Sequence, residues 1–210
     1  MKLYWVQVAP NPTKVRLYIA EKLAGGATLE VEGVVVKLAK GEHRLPEHRA
    51  RNPFESLPVL ELDDGSTIVE SLAIIEYLEE LHPAPPLWGE ETRTRARARE
   101  VERIVDQRLL NPLATYVHAT ASPTGRPANV DVADRAAAEW PMALLYLDEL
   151  LADERPFLLG EAPTVGDCTL AATLQFARFA KVDLLAGLPS LARWDAAYRA
   201  RPIAQMVLTL

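Results

Sequence analysis

"LPVLELDDGSTIVESLAIIEYLEE", residues 57–80, is the stretch that decides the fold. Two short apolar runs flank Asp64-Gly65, a dipeptide that between such runs is a strong hairpin signal. From Ser71 the pattern changes to helical periodicity, and Ser71 stands where an N-cap is expected. The stretch therefore reads strand, turn, strand, helix.

Upstream, strand and helix signals alternate. "KLYWVQV" (2–8) is a short apolar run rich in aromatic and branched residues, as a buried strand would be. "TKVRLYIAEKL" (13–23) sets Val15, Tyr18, Ile19 and Lys22 at helical spacing, with the Lys22 ammonium expected to extend outward. Gly25-Gly26 ends that helix, and "LEVEGVVVKLA" (29–39) reads as a second strand. A polar stretch, "KGEHRLPEHRARNPFES", separates it from the opening motif.

Downstream the composition changes. "HPAPPLWGEE" is proline-rich and reads as a linker. Beyond it every segment has helical character. Residues 92–120 predict one long helix bent at Pro112, 121–129 a loop, and 131–154 a second long helix containing Pro141. "TVGDCTLAATLQFARFAK" and "PSLARWDAAYRARP" complete the set. The reading is an α/β domain over 1–82, a linker over 83–92 and an all-helical domain over 93–210.

The bulk numbers narrow the function classes. The 210 residues are 49 % hydrophobic and 25 % charged, the balance of a globular chain with room for a core. The net charge of -6 argues against nucleic-acid binding, where basic surface supplies the affinity. The single cysteine, Cys168, excludes an internal disulfide and a cysteine-based metal site, and no metal is expected. No apolar run reaches the roughly 18 residues of a membrane span, and no leader pattern opens the sequence. A cytoplasmic location is the expectation.

Five segments in order resemble the cytosolic glutathione transferases. They are "APNPTKVRLYIAEK", "GEHRLPEHRARNP", "LPVLELDDGSTIVESLAIIEYLEE", "FLLGEAPTVGDCTLAA" and "SLARWDAAYRARP". The resemblance implies a thioredoxin-like N-terminal domain, an all-helical C-terminal domain and a homodimer. It implies glutathione as co-substrate and a small hydrophobic molecule as its partner.

It also implies roles for particular residues. Glu70 would receive the ammonium of the γ-glutamyl end, and the start of the following helix, at Ser71, would attract its carboxylate. Leu57-Pro58 is matched by a cis peptide in the family, with the Leu57 backbone pairing with the cysteinyl part as an added strand would. His43 and Arg44 match positions that meet the glycine carboxylate in the plant phi class. His48 reads as surface. Trp5, Val8, Leu110, Leu113 and Tyr116, with residues near Phe176, would line the second-substrate pocket.

One departure matters. The nucleophile is the glutathione thiolate, and serine- and cysteine-type relatives stabilise it from the position that here holds Ala9. Asn11 with the helix N-terminus, then Thr13, then Tyr4 are the substitutes, and His118 is a candidate base. Asn11-Pro12 also reads simply as an N-cap and first helical residue. Conjugation of glutathione to apolar electrophiles is the leading expectation. A glutathione-dependent peroxidase or reductase, and a non-catalytic binding protein of the same fold, are the alternatives. Thr164 and Asp167 read as a structural capping pair, and Cys168 as a buried, inert thiol.

Overall fold

The computed structural model describes residues 1–210. The N-terminal half holds β1 (Lys2–Trp5), α1 (Pro10–Ala24), β2 (Glu32–Val35), α2 (Pro46–Arg51), β3 (Val59–Glu61), β4 (Thr67–Val69) and α3 (Ser71–Leu81). The sheet order is β2-β1-β3-β4. β1 runs parallel to β2 and antiparallel to β3, and β3 runs antiparallel to β4. The Asp64-Gly65 turn is as expected: Gly65 takes φ 83°, and Asp64 Oδ1 accepts from the Ser66 N–H at 2.9 Å.

The C-terminal half is helical: α4 (Thr92–Val105), α5 (Asn111–Thr120), α6 (Val130–Ala137), α7 (Pro141–Leu150), α8 (Val165–Phe179), α9 (Pro189–Ala200) and α10 (Pro202–Gln205). α4 and α5 join through a π-helical segment, Asp106–Leu110. The long helix thus widens just before Pro112, whose missing N–H breaks the regular ladder. Residues 131–154 do not form one helix. The chain breaks at residues 138–140 and restarts with Pro141 at the first turn of α7, where a missing N–H costs nothing. The proline-rich segment is packed, not free: Leu87 and Trp88 are buried, and the Leu87 carbonyl accepts from the Val165 N–H.

α1 carries the contact between the halves, packing against α3 and α8. Its polar residues are sequestered there. Lys14 is buried, 2.5 Å from Asp106 and 3.4 Å from Glu102. Glu21 is buried and accepts from the Tyr198 hydroxyl and the Arg201 guanidinium. Lys22 does not reach outward: it is fully buried, donating to the Pro85 carbonyl at 2.7 Å and paired with Glu79 at 2.9 Å. The Tyr18 hydroxyl meets the same Glu79 carboxylate at 2.6 Å. Removing one member of such a pair leaves a buried charge unpaired, which is costly. These pairs therefore hold α1 in register against both halves.

The capping pair forms as expected. Asp167 Oδ2 accepts from the Thr164 N–H at 2.8 Å, and its Oδ1 accepts from the Leu158 N–H at 2.9 Å. Burial pushes the Asp167 carboxyl up to about 6, against the lowering effect of those same donors. Its native form thus holds a proton, between about pH 4 and about 6, that the unfolded chain releases. Asp167→Ala should cost about 2–4 kcal/mol in urea unfolding, because the buried Leu158 N–H and the half-buried Thr164 N–H lose their acceptor. The stability of the natural chain minus that of Asp167→Asn should decrease as pH rises from about 4 to about 6, then level off.

Candidate functional site

The sheet register assembles the site. Val59 pairs with Tyr4 on one side and with Val69 on the other. The turn after β1, Leu57-Pro58 before β3, and Glu70 after β4 therefore all emerge at one edge of the sheet. β2 is parallel to β1, so the loop carrying His43 and Arg44 leaves at that edge too. The ends of parallel strands and the helices that follow are where open α/β sheets hold ligands.

Backbone strain gathers at this edge. Five non-glycine residues have positive φ, and three of them lie here: Val8 at 69°, Glu55 at 57° and Glu70 at 72°. A β-branched residue in the left-handed region is a genuine outlier, and such outliers cluster at ligand sites. The Leu57-Pro58 peptide is cis, as is Ala84-Pro85.

α3 starts one residue from where the sequence placed its cap. Glu70 is the N-cap, and Ser71 is the first helical residue. No side chain caps this end, so the first-turn N–H groups stay available to an anion. Ser71, freed from capping, donates its hydroxyl to Asn11 Oδ1 at 3.3 Å. That bond ties the starts of α1 and α3 together.

Asn11 is not a cap. α1 begins at Pro10, with Ala9 as its N-cap and no capping side chain. With prolines at 10 and 12, two of the usual first-turn donors are missing. The Thr13 N–H and hydroxyl both donate to the Ala9 carbonyl, at 3.1 and 2.8 Å, and Thr13 is fully buried. Thr13 therefore has no free hydroxyl or N–H for a thiolate, against expectation. Asn11 keeps its backbone N–H, and its Nδ2 remains a donor because Oδ1 faces Ser71. It is also exposed.

Tyr4 is directed elsewhere: its hydroxyl donates to Glu61 Oε2 at 3.0 Å, and burial raises its pKa. His118 lies half-buried on α5 and shares a hydrogen bond with Ser122 Oγ at 2.9 Å. Burial, with the nearby Arg126, lowers its pKa. The imidazole is therefore neutral at pH 7, the form a base needs.

His43 is half-buried in a single 3₁₀ turn, Glu42–Arg44, and its Nδ1 is buried without a partner. Arg44 is 61 % exposed, with Glu55 3.9 Å away. His48 corrects a surface assignment: it is 3 % exposed, with Nε2 3.2 Å from the Ser56 carbonyl. Asn52, fully buried, donates Nδ2 to the same carbonyl at 2.9 Å and to Ser56 Oγ at 3.0 Å. Sequence reading missed this pair, whose only signal was the Asn-Pro of "RNPFES". Together they fix the residue that leads into Leu57-Pro58.

The expected second-substrate lining does not come together as one surface. Trp5 lies under the Arg16 guanidinium, in a cavity with residues of α1 and the C-terminal segment. Leu110 and Leu113 are fully buried, with Leu113 in the main core. Tyr116 packs edge-on to Trp140, with ring centroids 5.4 Å apart, and Phe176 stacks on Phe179. Among these residues, Val8 sits at the strained turn of the site itself. No group of three His, Cys, Asp or Glu side chains is arranged to hold a metal ion.

Residues 3–86 match the family model "Glutathione S-transferase, N-terminal domain", and residues 130–196 match "Glutathione S-transferase, C-terminal domain". The chain belongs to the glutathione transferase family. It is 31 % identical to glutathione S-transferase 2 of Saccharomyces cerevisiae, over all of this chain and 90 % of that one. It is 34 % identical to the maleylacetoacetate isomerase of Rhizobium meliloti, over 87 % of this chain and 83 % of that one. The structure is similar to that of a glutathione S-transferase from Methylobacillus flagellatus solved with glutathione bound. There the TM-score is 0.83 at 25 % identity, covering 100 % of this chain and 99 % of that one.

The Ser56 anchor gives a direct test. Asn52→Ala should destabilise the chain by about 2 kcal/mol, since the three hydrogen bonds of a fully buried side chain, two to Ser56 and one from the Phe54 N–H, are lost. It should also raise the glutathione KM more than it changes kcat, as measured by steady-state kinetics and urea unfolding on the same preparation.

Proposed function

We propose that the sheet edge binds glutathione and lowers the pKa of its thiol, and that the protein transfers the resulting thiolate to small hydrophobic electrophiles. The observation that carries this reading is the Ser71–Asn11 bond. It brings the uncapped start of α3, suited to the γ-glutamyl carboxylate, beside the one first-turn residue of α1 that keeps free donors.

In this reading Glu70 receives the γ-glutamyl ammonium, and the Leu57 backbone pairs with the cysteinyl unit. His43 and Arg44 face the glycine carboxylate as a charge-assisted pair. Asn11 donates to the sulfur through Nδ2 or its backbone N–H, in place of the hydroxyl absent at Ala9. A thiol that titrates near 8.5 in water is only a few per cent ionised at pH 7, so each donor aimed at the sulfur shifts the balance towards the nucleophile. His118 acts as a base through water when the second substrate is present. The protein works in the cytoplasm as a homodimer. The cleft between α3 and α4, with Glu76 and Glu80 facing Arg95 and Arg99, supplies complementary charge for a two-fold contact.

The isomerase relative favours a second reading, glutathione-dependent isomerisation of a maleyl compound. It shares the binding half of the proposal and differs only in the second substrate.

Steady-state kinetics with glutathione and 1-chloro-2,4-dinitrobenzene, beside an isomerase assay with maleylacetoacetate, tests the proposal. The conjugation assay should saturate in both substrates. Glu70→Gln should raise the glutathione KM roughly tenfold with kcat little changed, as loss of one charge-assisted bond predicts. His118→Ala should lower kcat and remove the low-pH limb of its pH profile. Turnover of maleylacetoacetate alone would replace transfer by isomerisation. Absence of glutathione binding by calorimetry would contradict both readings.

A further inference from the structure

A second cavity, of about 480 Å³, is lined by none of the residues assigned above to glutathione. Its walls come from β1, α1, the strand β2 with Val31 before it, and the C-terminal segment around α10. Twelve residues line it, ten of them hydrophobic, among them Leu3, Ile19, Val31, Ile203 and Val207. Leu23 and Met206 give it an exposed apolar rim, 47 % and 76 % exposed. The volume falls in the range of small-molecule sites, roughly 300–1,000 Å³.

One charged side chain enters this lining. The Arg16 guanidinium lies 3.6 Å from the centroid of the Trp5 ring. Every other half-buried arginine has an oxygen acceptor: Arg51, Arg97, Arg103, Arg155, Arg178 and Arg201 have carboxylates, and Arg193 donates to the Leu151 and Glu154 carbonyls. Arg16 has only the face of Trp5, and burial, with no compensating anion, lowers its pKa. Gly33 completes the wall: a Cβ there would stand 3.1 Å from Trp5 Nε1.

We propose that this cavity is a binding site for an apolar monocarboxylate, its hydrocarbon body among the aliphatic walls and its carboxylate on Arg16. A guanidinium stacked on an aromatic ring leaves its edge free for a two-point contact with a carboxylate. A single cation matches a single anionic charge, so a phosphate dianion would leave one charge unpaired beside apolar walls. The rim of Leu23 and Met206 extends the apolar path for a longer chain. The site is separate from the glutathione edge, and occupancy of one does not require the other.

Calorimetric titration with decanoate, decanol and glutathione tests it. Decanoate should bind saturably, one per chain, equally well with and without saturating glutathione. Arg16→Gln, checked for folding by circular dichroism, should weaken decanoate roughly tenfold or more and leave decanol unchanged. If Arg16→Gln does not fold, the natural chain must still prefer decanoate to decanol by a comparable factor. Absence of saturable binding, equal affinity for acid and alcohol, or displacement of decanoate by glutathione would each overturn the proposal.

Discussion

The register of β3 is the constraint on which the rest depends. Val59 faces Tyr4 on one side and Val69 on the other. A slip of one residue would reverse every side chain on β3 and part the three turns that meet at the sheet edge. The Asp64-Gly65 hairpin sets the β3–β4 half of that register locally. The other half depends on α1, whose buried Lys14, Glu21 and Lys22 are held by partners on α3, α4 and α9, by Arg201 just after α9, and by the proline-rich segment. The helical half thus contributes to the site edge by fixing the helix that begins there.

In the proposed function, the same edge activates a thiol without a hydroxyl. Two prolines strip the first turn of α1 of donors, and Thr13 turns its own back onto Ala9. What remains is concentrated on one side chain, and Ser71 orients that side chain from the neighbouring helix. A donor fixed by a second helix loses less freedom when it engages the sulfur, which is the advantage of preorganisation.

Legibility followed the range of the interactions. The hairpin, the division into two halves and the Thr164–Asp167 box rest on contacts a few residues apart, and the sequence shows them directly. The cis Leu57-Pro58 peptide was legible through resemblance, because its setting is a short contiguous segment. Lys22, His48 and Trp5 were misread for one reason. Each answers to a group far along the chain or outside its own helix or strand: Pro85 and Glu79 for Lys22, the Ser56 turn for His48, and Arg16 for Trp5. Amphipathic spacing placed Lys22 on a packed face and could not say that its ammonium would be enclosed there. The break before Pro141 was hidden because alanines on both sides favour helix, and only packing decides where such a run stops.

The central claim is that glutathione ionises at this edge through Asn11. Ultraviolet difference absorbance of the thiolate, followed across a pH series with glutathione saturating the natural chain and Asn11→Ala, tests it most directly. The account predicts an apparent pKa well below about 8.5 in the natural chain and a return towards that value in the variant. Full ionisation at neutral pH in Asn11→Ala, with glutathione bound as tightly as before, would contradict it.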